Sequence, residues 1–329
     1  MKKKVLILSL EKGYSGLEKQ VVTLANSLVE LYDISLFFLN DTNNDLNINP
    51  KIKVIVKDNK LLSLNRDYYK NLFKDIDVLI STSDYFNKYV IKYANSKKIY
   101  WEHNALNNKS GIKYIKDFDY VVVPNMEAFN NYKKITNNAV LINTAIVLPI
   151  SENTLENKNI LFVGKLIKNK RIDELIKMFL MVSKQIDVSL YIVGEGPERK
   201  NLEKLVNENN LTNVYFEGIR NNEEIESIYR SCGLYVTASD TEYTASSIIE
   251  AMSYGIPVVA FSDILNINSF IIDDINGYLI GNRDIKKMCA KVVELMTNDL
   301  KRQTFGNCAR EKAMDFDINS VKREWIKII

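Results

Sequence analysis

Glu242 and Glu250 stand eight residues apart, with Ser246 and Ser247 between them, in the run TEYTASSIIEAMSYGIPVVA. The second half of that run has the pattern of a helix stopped at Gly255, and an apolar strand follows over 256–261. Glu242 then falls in the loop before the helix, Glu250 on its first turns and the two serines at its start. Backbone N–H groups at a helix start have no partner within the helix and favour an anion. Two carboxylates around such a place suit a bare phosphate poorly. They suit a ligand with an anionic group and hydroxyls together, such as a nucleotide sugar, whose diphosphate takes the helix end while its hydroxyls take the carboxylates.

Other residues could serve the same chemistry. Lys165 follows the apolar run ILFVG, and Lys170 comes five residues later, where the next helix begins. Lysines are abundant in this chain and ordinarily solvated, but these two can converge on one strand end, where a departing diphosphate needs positive charge. Gly16 lies between a strand and a helix, so backbone N–H groups can approach a ligand there without a Cβ in the way. His103, within IYWEHNAL, is the only histidine. A lone histidine is more often structural than catalytic, but this one follows a strand whose carboxyl end is the ligand side of a parallel sheet. The turn Gly194-Glu195-Gly196-Pro197 is no dinucleotide fingerprint, because the third glycine is missing and Pro197 interrupts, which disfavours a dehydrogenase. It reads as a tight turn from strand to helix under the nucleotide. No CxxC occurs and no second histidine exists, so no catalytic metal is expected.

These residues need strands and helices to hold them, and 329 residues are enough for two domains. A strand KKKVLILSL opens the chain, followed by a turn at 13–16 and a helix over 17–31 with Val21, Leu24, Ala25 and Leu28 on one face. Strands are expected at 34–39, 52–56, 78–81, 98–101 and 120–123, and a helix around 68–74. The pattern restarts after 147–157: NILFVG is a fresh first strand, with a helix over 171–185, and SLYIVG, NVYFEG, LYVTAS and IPVVAF follow. Strands alternating with helices imply parallel sheets covered on both faces. The expected division is 1–147, 148–308 and a closing helix over 309–329.

In motif and order the chain resembles family 4 glycosyltransferases of the GT-B fold, and the resemblance covers nearly all of it. It rests on Ser15-Gly16-Leu17-Glu18, on Gly164-Lys165-Leu166 with Lys170-Arg171, on Gly194-Glu195-Gly196-Pro197, and on Glu242…Glu250-Ala251-Met252 running to Val259. Any one of these is weak; all four in order, each at a strand end, are specific. The resemblance implies an α/β protein of two Rossmann-like domains facing across a cleft, the last helix crossing back to the first domain. It implies a retaining transferase that moves a hexose or N-acetylhexosamine from a nucleoside-diphosphate sugar, taken here as UDP, to a glycan or lipid-linked acceptor of a bacterial surface polysaccharide. By resemblance Glu250 takes the ribose hydroxyls, Glu242 and His103 the sugar, and Lys165 and Lys170 the departing diphosphate. Gly16, Ile219, Thr244, Ala245, Ser246 and Ser247 would complete the donor site. Trp101 is assigned to packing, and Glu102 and Asn104 are secondary neighbours of His103. The chain departs from the family at Ser15 and Arg171, where glycine is usual, and at Tyr243-Thr244-Ala245, where Gly-Phe-Gly is usual; the last departure bears on the donor sugar's identity. Two other classes remain open: a nucleotide-sugar epimerase or hydrolase of the same fold, and a non-catalytic partner of a related transferase.

The net charge of +3 is too small to argue for nucleic acid, but it is unevenly divided. Residues 1–150 hold 21 Lys and Arg against 15 Asp and Glu, net +6, and the remainder is −3. Such a division fits contact with an anionic membrane surface as well as it fits an ordinary fluctuation. Cys232, Cys289 and Cys308 suggest idle thiols in a reducing compartment. The apolar run at the start is of strand length and no run is long enough to span a bilayer, so the expectation is a cytoplasmic protein attached to a membrane at most peripherally.

Overall fold

Apolar runs without polar alternation, such as Val78–Ser81, Leu234–Thr237 and Val258–Phe261, are buried at every position. Strands of this kind need cover on both faces, which a parallel sheet between helices provides. The computed structural model of the chain describes residues 2–12, 16–41, 46–57, 66–103, 113–149 and 157–329, and these contain two such sheets. The first sheet runs β3 (Lys53–Val56), β2 (Asp33–Asp41), β1 (Lys4–Lys12), β4 (Val78–Ser81), β5 (Lys97–Trp101), β6 (Tyr120–Val123), β7 (Ala139–Leu141). The second runs β10 (Val214–Gly218), β9 (Ser189–Val193), β8 (Asn159–Val163), β11 (Leu234–Thr237), β12 (Val258–Phe261), β13 (Gly277–Ile280). All neighbouring pairs are parallel. Each sheet reverses its strand order once, between β1 and β4 and between β8 and β11. Ligands of open α/β sheets bind outside the carboxyl ends of the strands at such a reversal. β7 and β13, both edge strands, lie outside the expected set.

The chain divides into two compact units, residues 1–147 with 316–329 and residues 148–315. Helices α1 (Gly16–Leu28), α2 (Arg66–Leu72), α3 (Asp84–Tyr93) and α4 (Met126–Lys133) belong to the first. The second holds α5 (Ile172–Val182), α6 (Arg199–Glu208), α7 (Asn222–Arg230), α8 (Ser246–Ser253), α9 (Ile285–Thr297) and α10 (Asp299–Ala313). The last helix, α11 (Ile318–Ile328), returns to the first unit.

The single closing helix expected over 309–329 is two helices. Helix α10 ends at Ala313, a 3₁₀ turn covers Met314–Phe316, and α11 begins where the Asp317 side chain accepts the Asn319 N–H at 3.2 Å. An N-capping Asp at this point starts a new helix rather than continuing the old one. The return is held by backbone bonds: Ile146 N–H donates to the Phe316 carbonyl at 2.9 Å, and Ile318 N–H to the Ile146 carbonyl at 2.8 Å. Ile318, Val321, Trp325 and Ile328 then form the buried stripe of α11, in one cluster with Val21, Leu24, Ala25 and Leu28 of α1. Trp325 meets Trp101 edge to face at 4.8 Å, so Trp101 is a packing residue as its sequence context suggests.

Candidate active site

The carboxyl end of β8 carries the first lysine. Gly164 N–H donates to the Val193 carbonyl and Leu166 N–H to the Glu195 carbonyl, both at 2.9 Å, so the Lys165 segment lies against the Gly194-Glu195-Gly196-Pro197 turn. A Cβ at Gly194 would stand 2.0 Å from the Gly164 carbonyl oxygen, and one at Gly196 would stand 2.3 Å from that of Leu166. The two glycines are there to let one backbone lie on another, and the turn they form supports the Lys165 loop. Lys165 itself is exposed, and its ammonium makes no hydrogen bond or ion pair with the described residues.

Lys170 ends a 3₁₀ turn over Lys168–Lys170, and its Nζ lies 2.8 Å from Oε1 of Glu242. Glu242 is only 5% exposed. The same Oε1 accepts from Ser239 Oγ at 2.6 Å and from Thr237 Oγ1 at 3.3 Å, both at the end of β11. Charge-assisted bonds of this kind hold a buried carboxylate in one orientation. Oε2 accepts nothing from the described residues. One oxygen is therefore fixed and the other is open to a hydroxyl, while the Lys170 ammonium keeps further N–H groups to offer.

Behind this pair Arg283 bonds Glu174 of α5 at 2.9 Å, Asp263 at 3.3 Å and the Ala238 carbonyl, and Arg171 also bonds Glu174. Arg171 has φ +48°, in the left-handed region that ordinarily favours glycine. Ala245, before α8, has the same φ of +48°. Such conformations cost about 1–2 kcal/mol each for an L-residue.

Ala245 is the N-cap of α8, and no side chain caps this helix. Ser83, Asn125, Asn221, Asp284, Asn298 and Asp317 each place a side-chain oxygen on the first N–H groups of their helices, whereas α5, α6 and α8 start without such a cap. Of these three, the start of α8 is the one that follows Glu242 beside the β8–β11 reversal, and orphan N–H groups at a helix start favour an anion. Thr244, Ser246 and Ser247 surround that start, with Ser246 Oγ 3.5 Å from Thr244 Oγ1.

Glu250 lies one turn into α8, where the Tyr229 hydroxyl donates to its Oε2 at 3.0 Å. Burial, and after it the charge of Glu250, hold the Tyr229 hydroxyl well above its ordinary pKa, so it remains a donor. Tyr229 also stacks on Tyr254, with centroids 5.2 Å apart. Ile219 follows β10 and is 60% exposed, an apolar surface left open at a strand's carboxyl end.

Gly16 and His103 belong to the first unit. Gly16 is the first residue of α1, and the loop containing Ser15 lies outside the described residues, as does Asn104. His103 follows β5, with its ring 4.5 Å from that of Trp101 and its Nε2 buried with no hydrogen-bond partner among the described residues. Glu102 is committed internally: its Oε2 accepts from the Tyr132 hydroxyl and, at 3.4 Å, from that of Tyr100. Burial pulls the His103 pKa from 6.5 down to about 3, so the ring is neutral near pH 7 and too weak a base to take a proton from an alcohol.

A depressed histidine pKa means that the unfolded chain binds the extra proton as pH falls through 6.5, while the folded chain does not until about 3. The contribution of neutral His103 to stability is complete above 6.5 and is lost below it. Between pH 8 and pH 5 this single group should withdraw about 2 kcal/mol, and a His103→Gln variant should lose that much less over the same range in urea unfolding. Identical pH slopes for the two proteins would exclude a buried neutral ring.

The second unit thus brings together Lys165, Lys170, Glu242, Thr244, Ala245, Ser246, Ser247 and Glu250 around one strand reversal. Sequence reasoning missed Tyr229, Tyr235, Ser239 and Arg283. Ser239 could have been found three residues before Glu242; the others act across long sequence distances and leave no local signal. Among the described residues no group of three or more His, Cys, Asp and Glu could hold a metal ion, and no helix is long and apolar enough to cross a membrane.

A protein-family model described as "Glycosyl transferases group 1" matches residues 148–312, nearly the whole second unit. The chain is 27% identical over 341 residues to an uncharacterized glycosyltransferase of Haemophilus influenzae, covering 95% of this chain and 96% of that one. It is 33% identical over 169 residues to the poly(ribitol-phosphate) alpha-N-acetylglucosaminyltransferase of Staphylococcus aureus, covering 50% of this chain and 34% of that protein. In structure it resembles Anabaena HepE, solved in complex with UDP and glucose, with a TM-score of 0.84 at 15% identity over 99% of this chain and 98% of that one. At that identity the likeness shows the fold, GT-B with its two Rossmann-like domains. The family match, the relative that aligns along almost the entire chain and the shared fold have one reading: the protein belongs to the group 1 glycosyltransferases and is a transferase.

Proposed function

We propose that this enzyme moves a hexose or N-acetylhexosamine from a UDP-sugar, with retention of configuration, to a glycan or lipid-linked acceptor in bacterial surface polysaccharide synthesis. The observation that carries the proposal is the Lys170–Glu242 pair beside the uncapped start of α8. An anion and a hydroxyl are provided for side by side, as a sugar diphosphate requires. The Staphylococcus relative is named for transferring N-acetylglucosamine to poly(ribitol-phosphate), which supports an N-acetylhexosamine, and the Anabaena structure holds UDP and glucose, which supports a UDP-sugar donor.

In this mechanism the diphosphate leaves toward Lys165, Lys170 and the N–H groups of Ser246 and Ser247, where preformed positive charge stabilises it. Glu242 accepts a sugar hydroxyl through Oε2 and Glu250 binds the ribose. Ile219 and its backbone flank the base, and Thr244 and Ala245 border the sugar, where the departure from Gly-Phe-Gly bears on which sugar fits. The acceptor hydroxyl attacks on the face the diphosphate leaves, and a phosphate oxygen takes its proton. His103 serves as a neutral hydrogen-bonding partner of the sugar or its acceptor, and Gly16 offers backbone N–H groups to the donor. Cytoplasmic location and peripheral contact of the basic unit with anionic lipid belong to the same proposal.

A thermal-shift panel of UDP-, GDP- and ADP-sugars tests the donor, since a ligand that binds the folded state raises apparent stability by mass action. Stabilisation by UDP-sugars above the others is expected, and no response to any nucleotide sugar would sink the proposal. Donor consumption without acceptor would favour an epimerase or hydrolase instead.

A further inference from the structure

Tyr235 lies within β11 and is 1% exposed, so it touches no ligand. Its hydroxyl nevertheless reaches both walls of the anion site. The phenol oxygen stands 3.0 Å from the Val163 carbonyl oxygen and 2.9 Å from Ser247 Oγ, with Val163 N–H at 3.4 Å. A phenol has a single proton and a carbonyl has none. Tyr235 therefore donates to Val163, and the Ser247 hydroxyl donates to Tyr235. The Ser247 side-chain proton, which the sequence assigns to the donor, is spent inside the protein, and its backbone N–H is what remains for a phosphate.

The place of this bridge in the sheet gives it meaning. Strand β8 pairs with β9 along its whole length, from Asn159 to Val163. With β11 it pairs only at Ile160 and Leu161. Toward their carboxyl ends β8 and β11 have no ladder between them, and this opening is the strand reversal where ligands of such sheets bind. Within the strands no ladder bond sets the width of the opening, and the Tyr235 hydroxyl spans it there; farther out Asp240 N–H donates to the Asn169 carbonyl at 2.8 Å.

We infer that Tyr235 is a positioning residue that clasps the Lys165 loop to the first turn of α8 and so sets the spacing of the two cationic walls around a nucleoside diphosphate. This rests on the UDP-sugar reading of the site. Burial first, and then the charge of Glu242, keep the phenol un-ionised at all working pH values. The clasp acts on the diphosphate. Base and ribose are held by other residues, among them Glu250, whose own tyrosine partner is Tyr229.

The test is calorimetric titration of wild type, Tyr235→Phe, Ser247→Ala and the double variant with UDP and with uridine. Tyr235→Phe keeps the ring and removes only the bridge. It should weaken UDP binding about tenfold, the equivalent of one good hydrogen-bond network, while changing uridine affinity less than twofold. Ser247→Ala cuts the same bridge from the helix side without touching the core, and it keeps the test valid if Tyr235→Phe fails to fold. The double variant should be no worse than the weaker single one, because both remove one link. Equal changes for UDP and uridine, or none, would overturn the clasp whatever happens to the melting temperature. A wild-type protein that binds uridine and UDP equally would overturn the diphosphate reading itself, and the clasp with it.

Discussion

Lys170→Ala and Glu242→Ala are each expected to reduce turnover by about 10²–10³, the loss typical of removing one group that stabilises developing charge. Their other effects should differ, and the difference identifies the site. In the proposed mechanism Lys170 stabilises the added charge that develops as the diphosphate leaves, so its loss should fall on kcat with a smaller change in KM. Glu242 in the same mechanism binds a hydroxyl before and during the reaction, so its loss should raise KM as well. Stability should run in the opposite order to any simple structural account. Lys170→Ala leaves a carboxylate that is 5% exposed with only the Ser239 and Thr237 hydroxyls, a cost of about 1–3 kcal/mol. Glu242→Ala leaves a lysine whose side chain is 21% exposed and can turn to water, which costs less. Steady-state kinetics and urea unfolding of the two variants check both orders. Full turnover in either variant would remove the Lys170–Glu242 pair from the mechanism.

Trp325→Ala should be the most destabilising single change in the first unit, at about 3–5 kcal/mol for a fully buried large aromatic. Trp325 is 1% exposed, lies edge to face with Trp101 and shares a cluster with α1 and the first strands. Trp101 in turn contacts the ring of His103. The variant should therefore lose stability and disturb the surroundings of His103, while UDP affinity, a property of the second unit, stays within a few-fold of wild type. Urea unfolding with UDP titration separates the two effects. Unchanged stability would mean that α11 is not part of the core.

The architecture was legible because its strands are buried on both faces. Runs such as Ile160–Phe162 and Val258–Phe261 have no polar side to confuse with a loop or an amphipathic helix. The placing of the lysines and carboxylates near strand ends was legible for the same reason, and a strand end in a parallel sheet is where ligands of such folds sit. What was not legible depends on distant contacts. Tyr235 reaches Val163 across 72 residues and Arg283 reaches Glu174 across 109, so no local pattern marks either. The break between α10 and α11 was missed because apolar periodicity continues through it. Asp317, a cap rather than a surface charge, is the residue that decides it. The neutral state of His103 follows from burial that its neighbours in sequence do not reveal.

The return of α11 also fixes the order in which the molecule can be completed. The second unit is one unbroken stretch, 148–315, whereas the interior of the first unit contains both Val5 and Trp325. On a ribosome adding 5–20 residues per second, the first unit waits about 10–40 s between the synthesis of its strands and the arrival of its last helix. During that interval α1 can pack on the first strands but lacks Ile318, Val321, Trp325 and Ile328 of its cluster. The part made first is thus the part finished last, and limited proteolysis of chains stalled before residue 316 would read that order directly.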